Sequence, residues 1–161
     1  MTHDFETMEV RREIAARPET VFRLWTDPAL KEAWFVTDNG PEWSASSYEG
    51  SLAEGGTERV IFRHAEKGSF TITPHMLIAE APRRVIYVYR MDHGPRPITA
   101  SVVTIALTPR GTGTALVLTE QITFLDGGGS LETRLPGTEY VVGKMARAAE
   151  AAERSHIHVP T

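Results

Sequence analysis

At 161 residues, 41% hydrophobic and 24% charged, the chain has the length and balance of one globular domain with its own core. A formal net charge of −4 with no basic block argues against nucleic acid as a partner. With no cysteine there are no disulfides, no thiol nucleophile and no thiolate metal site. The opening MTHDFETMEV lacks the apolar segment of a signal peptide, and no apolar run reaches membrane-spanning length. A cytoplasmic location without membrane insertion is therefore expected.

Phe5 to Ala16 reads as a strand, with Met8, Val10, Arg12 and Ile14 on one side and a polar side suited to a sheet edge. Arg17-Pro18 stops it. Pro18-Glu19-Thr20 opens a short helix, with Val21, Phe22, Leu24 and Trp25 as its apolar face. Asp27 can cap a second short helix that starts at Pro28 and carries Leu30, Ala33, Trp34 and Phe35. Six more strands follow: 43–53, 57–65, 69–79, 83–92, 98–108 and 114–124. Pro74 predicts a bulge or an edge position in the third of these. The glycines from Gly127 to Gly129 read as a flexible connection.

The last long stretch, from about Pro136 to Arg154, has a helical period. Val141, Met145, Ala148, Ala149 and Ala152 share one face, while Glu139, Arg147, Glu150, Glu153 and Arg154 fall mostly elsewhere, toward water. Pro136 suits its first turn, and Glu150 with Arg154 forms an i,i+4 pair. The interior Gly143 opposes the helix by about 1 kcal/mol relative to Ala. One long helix, two short ones and so many strands predict an α+β architecture. A curved antiparallel sheet of six or seven strands grips the C-terminal helix, in the order β-α-α-β6-α. A single domain over residues 1–154, with a tail over 155–161, accounts for the chain.

The run ARPETVFRLWTDPALKEAWF, from Ala16 to Phe35, resembles the opening signature of the SRPBCC superfamily, the helix-grip group of START and Bet v 1-like domains. The branch it is most similar to is named after the C-terminal domain of the activator of Hsp90 ATPase. Arg17 and the Trp34-Phe35 pair depart from that pattern. Gly55-Gly56-Thr57-Glu58-Arg59, Ala81 to Tyr87, Gly111 to Leu116, Thr119-Glu120-Gln121 and Gly137-Thr138-Glu139 resemble further family segments, so the likeness spans nearly the whole chain. It implies the helix-grip topology and an apolar small-molecule or lipid-like ligand between sheet and helix. Enzymes such as cyclases, dehydratases and hydrolases of polyketide-like compounds share the scaffold, so fold alone does not choose between binding and catalysis. The Hsp90 activator itself carries a separate chaperone-binding domain, for which this chain leaves no room, so a chaperone-cofactor role ranks last.

No other motif carries chemistry. The Gly127–Gly129 run lacks the Lys-Ser or Lys-Thr and the strand–turn–helix setting of a phosphate loop. No Gly-x-Ser-x-Gly elbow is present. His156 and His158 have metal-like spacing but sit in the tail, and no catalytic residue, metal or cofactor is expected. More informative are polar residues on apolar strand faces: Glu58 with Val60, Phe62 and His64; Glu120 with Leu118 and Ile122; Tyr87 and Tyr89 with Val85. The expected ligand wall is Phe62, Tyr87, Tyr89, Val103, Leu118, Val141 and Met145, with Trp25 and Trp34 near one end. The polar handle is expected at Glu120, in an apolar surround, with His64 or Glu58 as second choices. Homodimer formation stays open.

Overall fold

The computed structural model describes residues 1–37 and 39–157, without the side chains of residues 45, 46, 156 and 157. Strand β1 (His3–Ile14) leads into two short helices, α1 (Pro18–Thr26) and α2 (Pro28–Phe35). Six strands follow: β2 (Trp43–Gly50), β3 (Glu58–His64), β4 (Gly68–Glu80), β5 (Arg84–His93), β6 (Arg96–Arg110) and β7 (Gly113–Leu125). The chain ends in α3 (Leu131–Ile157). The seven strands form one antiparallel sheet in the order β1-β7-β6-β5-β4-β3-β2, curled into a half-barrel with α3.

Local chemistry explains the element boundaries. Pro18 begins α1, and Asp27 Oδ1 accepts the backbone N–H groups of Ala29 and Leu30 to cap α2. Met8, Val10 and Ile14 are buried on one side of β1, which is an edge strand as its polar side requires. Pro74 is not at an edge: β4 is interior, the ladder to β3 runs only as far as the Val60–Ile72 pair before it, and a bulge follows between Met76 and Ile78.

Helix α3 differs from expectation at both ends. It starts at Leu131, because Ser130 and Thr133 cap each other's exposed N–H groups. Ser130 Oγ accepts from Thr133 N, and Thr133 Oγ1 accepts from Ser130 N. Pro136 is therefore inside the helix, not in its first turn. The helix continues through residues 155–157, the start of the expected tail; the rest of the tail, His158 included, lies outside the described residues.

The buried face of α3 is Val142, Met145, Ala146 and Ala149, packed with Val103, Ile105, Leu116 and Leu118 of the sheet and with Val21 and Trp25 of α1. Arg147 is exposed as predicted. Ala152 is also exposed, and Glu153 takes the inward position expected of an alanine. Arg17 and Thr20, at the start of α1, both donate to its carboxylate. Glu150 does not pair with Arg154 but accepts the backbone N–H of Ala15 at 2.9 Å. Among the described residues, no helix is long and apolar enough to cross a membrane.

Candidate functional site

The first half of α3 does not close against the sheet. A cavity of about 450 Å³ lies beneath it, floored by inward residues of β3 to β7 and flanked by α1 and α2. That volume lies within the usual range for small-molecule sites. A larger depression of about 810 Å³ lies on the outer face, against outward residues such as Phe5, His75, Val88 and Val102. It is a shallow trough that exposes side chains to solvent; the smaller space under α3 is the one where polar groups converge.

Seven of the expected wall and handle residues line this cavity: Trp25, Phe62, Tyr87, Tyr89, Leu118, Glu120 and Val141. Alternation along β3, β5 and β7 delivers the strand residues, since period-2 neighbours share a face. Five do not line it. Val103 and Met145 are 1% and 0% exposed and belong to the closed core. Trp34 is buried beside Trp25, ring centroids 5.1 Å apart, and its indole N–H donates to Leu24 O at 2.8 Å. His64 serves the β3–β4 turn: Nδ1 accepts the N–H groups of Glu66 and Lys67, and Nε2 lies 3.0 Å from Glu42 Oε2. With Nδ1 accepting, Nε2 carries the ring proton.

Glu58 is the fifth. Its Oε1 lies 2.9 Å from Lys31 Nζ, and its Oε2 accepts from the Tyr48 hydroxyl. Lys31 and Glu58 are 3% and 5% exposed, a buried ion pair whose desolvation is compensated by close geometry and the tyrosine. Lys31 itself reaches the cavity, with Nζ 5.2 Å from the Phe35 ring centroid and 5.6 Å from that of Tyr87. Burial lowers the basicity of its ammonium group, against the opposing pull of Glu58. Burial and then Glu58 push the Tyr48 hydroxyl well up, so it stays protonated and donates.

The second polar cluster surrounds Glu120. The surround expected to be apolar is not. Glu120 Oε2 accepts from the Tyr89 hydroxyl at 2.6 Å and Ser101 Oγ at 2.7 Å, and Arg134 Nη1 lies 3.4 Å away. Arg134, from the first turn of α3, also donates to the Tyr89 hydroxyl at 3.0 Å and to Thr99 Oγ1 at 3.1 Å. Burial, then the Glu120 charge, raises the Tyr89 hydroxyl above its ordinary range in spite of Arg134. Among the described residues, Glu120 Oε1 meets no hydrogen-bonding partner. Glu120 is thus a carboxylate with one oxygen committed to the protein and one available in the cavity wall.

Sequence reading missed Lys31, Arg134, Ser101 and Tyr48. Arg134 lay before the expected helix start. Lys31 had a signal, since Lys31, Trp34 and Phe35 stand at i, i+3 and i+4 on one face of α2. Ser101 shares parity with Val103 and Ile105 on the buried side of β6. Among the described residues no three His, Asp or Glu gather as a metal site. His156 and His158 lie outside the described side chains.

The family described as activator of Hsp90 ATPase homolog 1-like protein matches residues 15–150. The chain belongs to this family. Solved relatives agree along almost the whole length. A protein from Rhizobium leguminosarum is 32% identical with a TM-score of 0.86, over 93% of this chain and 97% of that one. A protein from Rhizobium loti is 30% identical with a TM-score of 0.80, over 92% and 99%. One from Chromobacterium violaceum, 21% identical over 89% and 96% with a TM-score of 0.74, shares the fold. No curated protein matches the chain. In this chain that fold carries the Arg134–Glu120–Tyr89 cluster in the cavity wall and the Lys31–Glu58–Tyr48 cluster, which reaches the cavity through Lys31.

Proposed function

We propose that this member of the family binds a small, mostly apolar aromatic molecule under the first half of α3, with a hydroxyl of that molecule donating to Glu120. The observation that carries this reading is the unpaired Glu120 Oε1 in a cavity of about 450 Å³ whose other walls are largely aromatic: Phe62, Phe70, Trp43, Tyr87 and Phe124 among them. Apolar burial supplies most of the affinity, at about 25 cal/mol per Å² before the costs of association. The hydroxyl contact fixes orientation.

Tyr89 and Glu120 meet at 2.6 Å, the one juxtaposition that favours an acid–base reading. Against it, the Tyr89 proton is already engaged by Glu120 Oε2 and both oxygens of Glu58 are taken, so the short Tyr89–Glu120 contact reads as a satisfied structural pair. A chaperone-cofactor role has only the family's name behind it.

Titration calorimetry with 2-naphthol and 2-methylnaphthalene tests the binding reading. Both should bind, the naphthol more tightly, and Trp25 and Trp43 emission should change on occupancy. Glu120→Gln, which keeps the side-chain shape, should reduce the preference for the naphthol. If neither compound binds, the cavity is not a ligand site.

A further inference from the structure

Tyr87 stands in the same row of the sheet as Glu120, two strands away: Tyr87 pairs with Val103, and Val103 pairs with Glu120. Both residues line the cavity. Tyr89 hydrogen-bonds to Glu120 and Arg134, and Tyr48 to Glu58, but the Tyr87 hydroxyl meets no hydrogen-bonding partner among the described residues. Burial, then the neighbouring Tyr89, Glu120 and Glu58, holds that hydroxyl far above its ordinary range, so at neutral pH it keeps its proton and is a donor. With no protein acceptor to meet among the described residues and the cavity in front of it, this hydroxyl is free to donate to a ligand acceptor.

The charge pattern narrows that acceptor. Among the described residues, the two cations at the cavity wall are each matched: Lys31 by Glu58 at 2.9 Å and Arg134 by Glu120 at 3.4 Å. A carboxylate or phosphate entering here would lose its hydration with no unmatched positive charge to meet it. A neutral oxygen would face the Tyr87 hydroxyl without that cost.

We propose that Tyr87 donates a hydrogen bond to a carbonyl oxygen of the ligand, so that the cavity selects a hydroxyaryl ketone or a close relative. Its hydroxyl meets Glu120, its carbonyl meets Tyr87, and its ring lies among the aromatic side chains. This assignment rests on the binding reading above and adds the second polar contact and the neutral class of the ligand.

Calorimetry with 2-acetylnaphthalene, the flat hydrocarbon analogue 2-isopropenylnaphthalene and 2-naphthoate separates the alternatives. Wild-type protein should prefer the ketone to the hydrocarbon by about tenfold, the range of one net hydrogen bond. Tyr87→Phe should bring that ratio to within about twofold while hydrocarbon affinity holds. An unchanged melting temperature would show that the variant is folded. An unchanged ketone preference in Tyr87→Phe overturns the assignment of Tyr87 alone. Tighter binding of the naphthoate than of the ketone overturns the neutral class. Failure of all three compounds to bind overturns the cavity reading itself, and this proposal with it.

Discussion

Between Val142 and Ala149, α3 presents Val142, Met145, Ala146 and Ala149 to the core, each no more than 1% exposed. Between Leu131 and Val141 the same helix buries no residue completely. Its inward side chains there, Arg134, Thr138 and Val141, face the cavity. Composition follows the division. The core half carries Ala146, Ala148 and Ala149 with one poor helix former, Gly143, whereas the cavity half contains Pro136 and Gly137, the two poorest, side by side. Anchorage and opening are thus separated along one continuous element. The second half can be selected for packing and the first for access.

Substitutions should divide along the same line. The largest effect is expected for Met145→Asp, which places a carboxylate in the closed half. Burying it unpaired costs several kcal/mol, comparable to the whole stability of a domain this size. Soluble folded protein should be lost on expression; a variant melting within a few degrees of wild type would refute the division. Next come the paired truncations. Met145→Ala should cost about 2–5 kcal/mol in urea unfolding, because it opens a void in packed core. Val141→Ala borders space that already exists, so its cost should stay below about 1 kcal/mol. Equal costs would mean that the two halves pack alike.

The third test uses pH. Burial alone would raise the Glu153 carboxyl, but hydrogen bonds from Thr20 and Arg17 and the Arg17 charge outweigh it and hold the group below its ordinary value of 4.5. A folded pKa below the unfolded one means that the unfolded chain binds more protons between the two values. The stabilisation is then complete above pH 4.5 and is lost as pH falls through the folded value. Wild type should therefore exceed Glu153→Gln in unfolding free energy at pH 7, and the gap should shrink on acidification below pH 4.5. A gap independent of pH would show that the ion pair contributes no linkage. The smallest effect is expected at Gly137, where an added Cβ would meet nothing within 4 Å. Gly137→Ala should stabilise the protein by about 0.5–1 kcal/mol, read as a rise of roughly 2–4 °C in Tm.

The fold was legible because its signals are local. Alternation in β3, β5 and β7 and the Pro18 and Asp27-Pro28 helix starts all act within a few residues. The phase of α3 was legible at Met145 and Ala149 for the same reason. It was not legible at Glu153, whose partners Arg17 and Thr20 stand more than 130 residues away in sequence. The site was half legible. Strand parity alone places Tyr87, Tyr89, Leu118 and Glu120 inward, but parity does not say whom a side chain meets. Glu58 and Glu120 looked equivalent in the sequence. Lys31 and Tyr48 use up both oxygens of one, while Tyr89, Ser101 and Arg134 all gather at a single oxygen of the other.

Pro136 has a kinetic consequence. Lacking an N–H, it leaves the carbonyl of Glu132 without its helical donor and weakens the turn that covers the cavity. The opening turns of α3 can therefore fray while Met145 stays seated, since sub-global unfolding proceeds through the least stable contiguous segment. On the binding reading proposed above, ligand residence time follows this local breathing and not the lifetime of the folded domain. Amides from Leu131 to Thr138 should exchange with solvent well before those from Val142 to Ala149, and ligand should leave many times before the protein unfolds once.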